Sequence, residues 1–229
     1  MIINNIINIR KEIASVCEAS SRDPKDITLV GVTKYVELNK VKEAIEYGIE
    51  HIGENRVQDA REKFEELDSS GFEVIKHMIG HLQTNKVKSA VEIFDLIQSV
   101  DSLKLALEID KCARAVNRRV DILIQINISG EEQKFGTDKE VGLELIDHIL
   151  KLENVRVLGL MTMAPFTEDV AIIRNCFKGL RLFRNQINQK FQGNRNIEMR
   201  YLSMGMSSDF KIAIEEGANM IRIGGALFQ

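Results

Sequence analysis

After Asp26 the chain alternates short runs rich in β-branched and apolar residues with longer stretches in which apolar residues recur at helical spacing. The first run, ITLVGVTK from Ile27, reads as a buried strand that ends in a lysine just before the chain turns helical. Seven more follow: HIGE at His51, VIKHMIGH at Val74, LIQSVD at Leu96, VDILIQINI at Val120, VRVLGLMTM at Val155, MRYLSMG at Met199 and NMIRIGG at Asn219. Between them the pattern predicts helices over residues 39–47, 57–67, 103–116, 139–152, 170–191 and 209–216, and the segment 85–93, NKVKSAVEI, fills the gap between the third and fourth runs. Strands separated by helices imply a parallel sheet, and eight such strands close a (β/α)8 TIM barrel; a doubly wound open sheet is the alternative α/β architecture. The opening MIINNIINIRKEIASV carries charges within a helical apolar pattern, so it predicts an extra amphipathic N-terminal helix packed on the barrel and not a secretory signal.

A length of 229 residues suits one α/β barrel. The chain has two prolines, Pro24 and Pro165, and no linker-like or low-complexity tract, so residues 1–229 are expected to form a single domain. Apolar residues make up 44% and charged residues 28%, enough to bury a large core. A net charge of -3 carries no polyanion signal, and neither nucleic acid nor an anionic membrane is an expected partner. Cys17, Cys112 and Cys176 are odd in number and far apart, which speaks against a disulfide framework or a zinc cluster. His51, His77, His81 and His148 show no metal-ligand spacing. No apolar run approaches membrane-spanning length, and a cytoplasmic location is expected.

In a parallel barrel the chemistry gathers where strands give way to the loops that follow them. Those positions hold Lys34, Glu54 with Asn55, His81, Ser99 with Asp101, Gln125 with Asn127, residues 161–163, residues 203–208, and Arg222 with Gly224 and Gly225. A polar residue at nearly every strand end suggests a ring around a pocket. Some of these serve as helix caps in a plainer reading, Ser102 or Asp101 before LKLALEI among them. In the last two units, serines and a glycine precede the helix expected near Asp209, and Gly224 and Gly225 follow the eighth run. Backbone N–H groups exposed by such turns favour an anion, and barrels commonly bind phosphate in the loops after strands seven and eight. An ordinary cap at Ser207 or Ser208 and an ordinary glycine turn are the alternative. Lysine acts covalently by forming an imine with an aldehyde or ketone. Arg222 supplies a fixed positive charge that favours a neutral lysine amine, holds a phosphate, or faces a ring nitrogen. A phosphosugar and pyridoxal 5′-phosphate (PLP) are the two ligand classes that fit.

VGVTKYV, HIGENRVQDA, HMIGHLQTNKVK, IQSVDS, GLMTMAP and YLSMGMSSDFKIAIEEGANMIRIG occur in that order, and the chain resembles the PLP homeostasis protein family over essentially its whole length. The resemblance implies a fold-type III PLP-binding barrel similar to the N-terminal domain of alanine racemase. It implies that Lys34 holds the cofactor as an internal aldimine. Ser207 matches a serine that contacts the phosphate, and Gly224 and Gly225 match a turn whose amides do the same. Arg222 matches the arginine that faces the pyridine nitrogen, where it keeps that nitrogen unprotonated and weakens the ring as an electron sink. Asn55, His81 and Met204 match positions that line the pocket. One departure is Gly225, where members of the family often have threonine, so a hydroxyl contact to phosphate is absent.

The expected function is a carrier or buffer in intracellular vitamin B6 homeostasis that affects amino-acid and keto-acid pools, with apo PLP-dependent enzymes as recipients. Racemisation needs a proton-transfer group on each face of the cofactor, and the sequence ends at Gln229 with no residues for a second domain. Robust turnover is therefore not expected, and because no surplus apolar segment remains after eight βα units are assigned, a monomer is expected. A PLP-dependent racemase or lyase, with Tyr35 or Tyr201 as second base, is one alternative. An imine-forming aldolase acting on a phosphosugar is the other.

Overall fold

The computed structural model describes residues 1–131 and 133–229. Its strands are β1 (Thr28–Val32), β2 (His51–Glu54), β3 (Ile75–Met78), β4 (Leu96–Val100), β5 (Val120–Gln125), β6 (Val155–Met161), β7 (Ile197–Ser203) and β8 (Met220–Ile223). Neighbours in sequence pair in parallel all the way round, and β8 returns to β1 with Val30 opposite Arg222. The sheet is thus a closed barrel, and the open-sheet alternative is ruled out.

The helices are α1 (Ile2–Ala19), α2 (Leu38–Glu46), α3 (Val57–Ser69), α4 (Val87–Ile93), α5 (Leu103–Ala115), α6 (Lys139–Ile149), α7 (Val170–Lys190), α8 (Phe210–Glu215) and α9 (Gly225–Phe228). In α1 the buried residues Ile2, Ile6, Ile9, Ile13 and Cys17 recur every three or four positions, which puts them on one stripe. That stripe packs on α2, α8 and α9, as the amphipathic pattern predicts. Caps begin several other helices: Ser102 Oγ accepts from the Leu105 N–H of α5, Asp138 from Val141 of α6, and Asp169 from Ala171 and Ile172 of α7. No helix among the described residues is long and apolar enough to cross a membrane.

Two apolar layers follow from the alternation of side chains along each strand. Outward residues meet the helices in a large core that includes Phe64, Phe94 and Phe177, each worth roughly 1.5–3 kcal/mol on burial. Inward residues Val30, Leu96, Leu123, Leu158, Met161 and Met220 fill the barrel itself. Above and between them the interior is polar.

Two boundaries differ from the sequence expectation in ways that shape the site. β3 stops at Met78, short of the run's end at His81, because the chain after it passes hard against the loop following β2. A Cβ at Gly80 would sit 2.3 Å from the Asn55 carbonyl oxygen. This contact brings His81 beside Asn55. The glycine pair after β8 does not form a free turn, since α9 starts at Gly225.

Candidate functional site

Lys34 lies two residues beyond β1, in the turn that leads to α2. The residue before it is anchored from three sides, the first being its N–H, which donates to the Gly53 carbonyl at 3.0 Å. Thr33 is fully buried, its Oγ1 donates to Glu54 Oε1 at 2.7 Å, and its carbonyl accepts from Lys63 Nζ at 2.6 Å. Lys63 of α3 also forms a short ion pair with Glu54. The residue after Lys34 is strained: Tyr35 has φ +63, a left-handed conformation that a bulky residue rarely adopts. Lys34 itself is exposed, and its Nζ has no hydrogen-bond or ion-pair partner among the described residues.

Two clefts meet at this lysine. One, of about 690 Å³, is lined by Lys34, Tyr35, Asn55, Met78, His81 and Phe135 among others. The second, of about 360 Å³, is lined by Val32, Lys34, Gly224, Gly225, Phe228 and Gln229 among others. The His81 ring stacks on Phe135, with centroids 4.2 Å apart and planes 13° from parallel. Its Nδ1 lies 3.8 Å from Asp101 Oδ2. Asp101 therefore faces His81, and the capping role belongs to Ser102.

On the opposite side of Lys34 the loops after β7 and β8 are tied together. The Arg222 N–H donates to the Gly205 carbonyl at 3.0 Å, and the Met204 N–H to the Met220 carbonyl at 3.1 Å. Asp209 Oδ1 accepts from the Met206 N–H at 2.6 Å, so Asp209, and neither Ser207 nor Ser208, organises this loop. Both serines are exposed. Among the described residues, the backbone N–H groups of Ser207, Ser208, Gly224, Gly225 and Ala226 find no acceptor. They form a set of free donors suited to a phosphate. Met204 departs from expectation: it is fully buried in the outer core, because the loop folds over it, and its side chain offers no surface to a ligand.

Arg222 sits inside the barrel, 4% exposed. Its Nη1 donates to Ser203 Oγ at 2.7 Å and its Nη2 to the Thr162 carbonyl at 3.0 Å. Burial pushes the guanidinium down to about 10, with the Asp209 carboxylate opposing that shift, so it stays charged at neutral pH. A charged guanidinium has donors and no acceptor, which suits an unprotonated ring nitrogen. An amine and amides that find no partner among the described residues, with this guanidinium, fit a phosphorylated pyridine aldehyde, although Arg222 and Ser207 line neither cleft. Among the described residues no cluster of metal-binding side chains occurs.

Of the expected residues, the structure gathers Lys34, Asn55 and His81 in one cleft and Lys34, Gly224 and Gly225 in the other. Tyr35 lines both, whereas Tyr201 lines a separate cleft with Arg22, Asp26 and Asn219, which precede β1 and β8 at the opposite mouth. Sequence reasoning missed Thr33, Lys63 and Phe135. Phe135 carried a legible signal, a lone aromatic in the polar stretch EEQKFGTD.

The family described as alanine racemase, N-terminal domain, matches residues 8–229. The pyridoxal phosphate homeostasis protein of Aquifex aeolicus is 41% identical, covering 96% of this chain and 94% of that one. Its namesake in Escherichia coli is 35% identical over 99% of this chain and 95% of that one. The solved structure of PipY from Synechococcus elongatus with PLP bound superposes with a TM-score of 0.87 at 32% identity, covering 100% of both chains. A Clostridium difficile alanine racemase shares the fold, with a TM-score of 0.75 at 16% identity over 98% of this chain and 56% of that one.

Proposed function

The chain belongs to the pyridoxal phosphate homeostasis protein family, and from that premise we propose that it binds PLP covalently on Lys34 and acts in the homeostasis of that cofactor as a carrier or buffer. The observation that carries this reading is the setting of the Lys34 amine, without a partner among the described residues and shared by two clefts of about 690 and 360 Å³. When bound, PLP supplies an electrophilic aldehyde and an electron-withdrawing ring.

The chain's own residues have distinct tasks in this reading. The free amides of the loops after β7 and β8, with the Ser207 hydroxyl, hold the phosphate. Arg222 donates to the ring nitrogen while remaining charged. Asn55 and His81 line the ring's side of the larger cleft, where Phe135 stacks on His81. Residues 1–229 act as one PLP-binding domain. An arginine at the ring nitrogen keeps the ring a poor acceptor of electrons, which suits storage of a reactive aldehyde better than amino-acid turnover.

The test is the visible spectrum of wild type and Lys34→Ala with PLP, before and after borohydride reduction, alongside an assay of amino-acid turnover. The proposal expects a yellow wild type, a pyridoxyl group fixed on Lys34 after reduction, and no turnover above free PLP. Identical spectra from the two proteins would remove Lys34 from the reading. Racemisation or elimination by the wild type would replace the carrier with an enzyme.

A further inference from the structure

Below the mouth, side chains from five strands join in one line through the barrel. Arg222 Nη1 donates to Ser203 Oγ at 2.7 Å, and Ser203 Oγ donates to Gln98 Oε1 at 2.6 Å. Gln98 Nε2 lies 2.8 Å from His77 Nδ1, and His77 Nε2 lies 2.9 Å from His51 Nδ1. Arg222, Ser203, Gln98 and His77 are all buried, at 4%, 0%, 0% and 1% exposure. His51 ends the line in a cleft of about 570 Å³ at the opposite mouth.

The direction of every bond follows from the first. A guanidinium only donates, so Ser203 accepts from it and spends its own proton on Gln98 Oε1. The Gln98 amide then donates to His77 Nδ1. His77 is left with its proton on Nε2 and donates to His51 Nδ1. Burial, reinforced by the neighbouring His51, holds His77 down to about 3, so it stays neutral, and the Gln98 amide donating to Nδ1 selects the tautomer with the proton on Nε2. Bonds polarised in one direction strengthen one another.

Resting on the reading that Arg222 faces the bound ring, we infer that Ser203, Gln98 and His77 are positioning residues that hold the Arg222 guanidinium at the cofactor, and that His51 ties this hold to protonation at the far mouth. A proton on His51 turns Nδ1 into a donor facing the His77 N–H. Relief requires His77 to change tautomer and Gln98 to flip. A flipped Gln98 donates to Ser203 Oγ, which leaves the buried Ser203 hydroxyl proton without its acceptor and weakens the hold on Arg222. The charged and titratable groups around His51 are Glu50 beside it, Arg10 of α1, Lys25 before β1 and His77 of β3.

The experiment follows the Arg222 side-chain N–H signals by nitrogen-15 NMR in the ligand-free protein, together with the Kd and visible band of added PLP between pH 5 and 8. Ser203→Ala and Gln98→Leu are expected to shift or broaden the Arg222 signals, raise the PLP Kd about tenfold and move the band. Ser203→Thr, which retains the hydroxyl, restores both. The wild-type band is expected to move as the pH falls towards 5, and His51→Asn, which keeps an acceptor near the Nδ1 place but takes no proton, abolishes that change; a wild-type band that stays constant overturns the tie to His51. Variants that lose thermal stability yet keep the wild-type Arg222 signals and band overturn the inference and reduce the line to a structural network. A wild type that takes up no PLP brings down the proposed function. In that case Arg222 signals that still respond to Ser203 and Gln98 sustain the holding of the guanidinium, and signals that do not respond overturn that as well.

Discussion

Thr33 Oγ1 donates to Glu54 Oε1 across 2.7 Å, so the residue immediately before Lys34 is fixed to the end of the neighbouring strand. Lys63 completes the clamp, and the Glu54–Lys63 pair is nearly enclosed, with side-chain exposures of 1% and 12%. Removing one member of a buried pair leaves an uncompensated charge. Glu54→Gln is therefore expected to lower stability by about 3 kcal/mol, read as a shift of the urea midpoint, and to weaken PLP binding by loosening the Lys34 turn. Adding Lys63→Met should recover part of the stability, since it takes away the stranded cation. A Glu54→Gln protein with an unchanged midpoint would mean the clamp contributes nothing.

The glycine at 225 leaves room for a side chain that carries a hydroxyl. A Cβ at Gly225 would meet Gln229 Oε1 at 3.2 Å, the far end of a flexible side chain that can turn away. The position has no left-handed φ, so a larger residue is tolerated. Gly225→Thr should place a hydroxyl at the edge of the smaller cleft and tighten PLP binding several-fold, about 1 kcal/mol for one added hydrogen bond. Equilibrium dialysis checks this. An unchanged Kd would place the phosphate away from the β8 loop.

All eight strands and the order of the elements were legible because burial leaves its mark on the residues, as in the near-continuous apolar run VDILIQ, buried at five of its six positions, and the stripe Ile2, Ile6, Ile9, Ile13 of α1. Lys34 and Gly224 were legible for a related reason: in this fold, position at a strand end already specifies the barrel mouth. The interior line was not. His51 and His77 meet only because the register sets Gly53 opposite His77, which puts His51 one inward position lower on the next strand. A single sequence carries each strand's phase but not the stagger between strands. The Thr33–Glu54–Lys63 clamp was hidden similarly, since it joins a loop, a strand and a helix by side-chain reach.

Gly205 shapes the loop after β7, in which the Ser207 and Ser208 amides find no acceptor among the described residues. Its φ of +96 is left-handed, and an added Cβ would lie 2.6 Å from Ala213 Cβ and 2.9 Å from Phe210 Cα. Neither neighbour yields easily, one being helix backbone. Gly205→Ala should cost about 2 kcal/mol or more and displace Ser207, so thermal stability and PLP affinity fall together. A variant with wild-type affinity and reduced stability would separate the loop's shape from phosphate binding.

The buried imidazole of His77 makes stability fall in acid. Unfolded, it takes up a proton near about pH 6.5, while in the folded protein burial holds it down to about 3. Between those values the unfolded chain binds more protons, so the stabilising contribution is complete above pH 6.5 and is lost as the pH drops towards 3. The slope for one such group is about 1.4 kcal/mol per pH unit, and His51, also held low by burial against the pull of Glu50, adds in the same direction. Urea midpoints at pH 7, 5.5 and 4.5 on wild type and His77→Gln would measure it. The variant should be less stable at pH 7 but lose less on acidification, so that the two curves converge. Parallel curves would show that His77 takes up its proton equally well in the folded and unfolded chains, and would remove the neutral His77 on which the direction of the interior line depends.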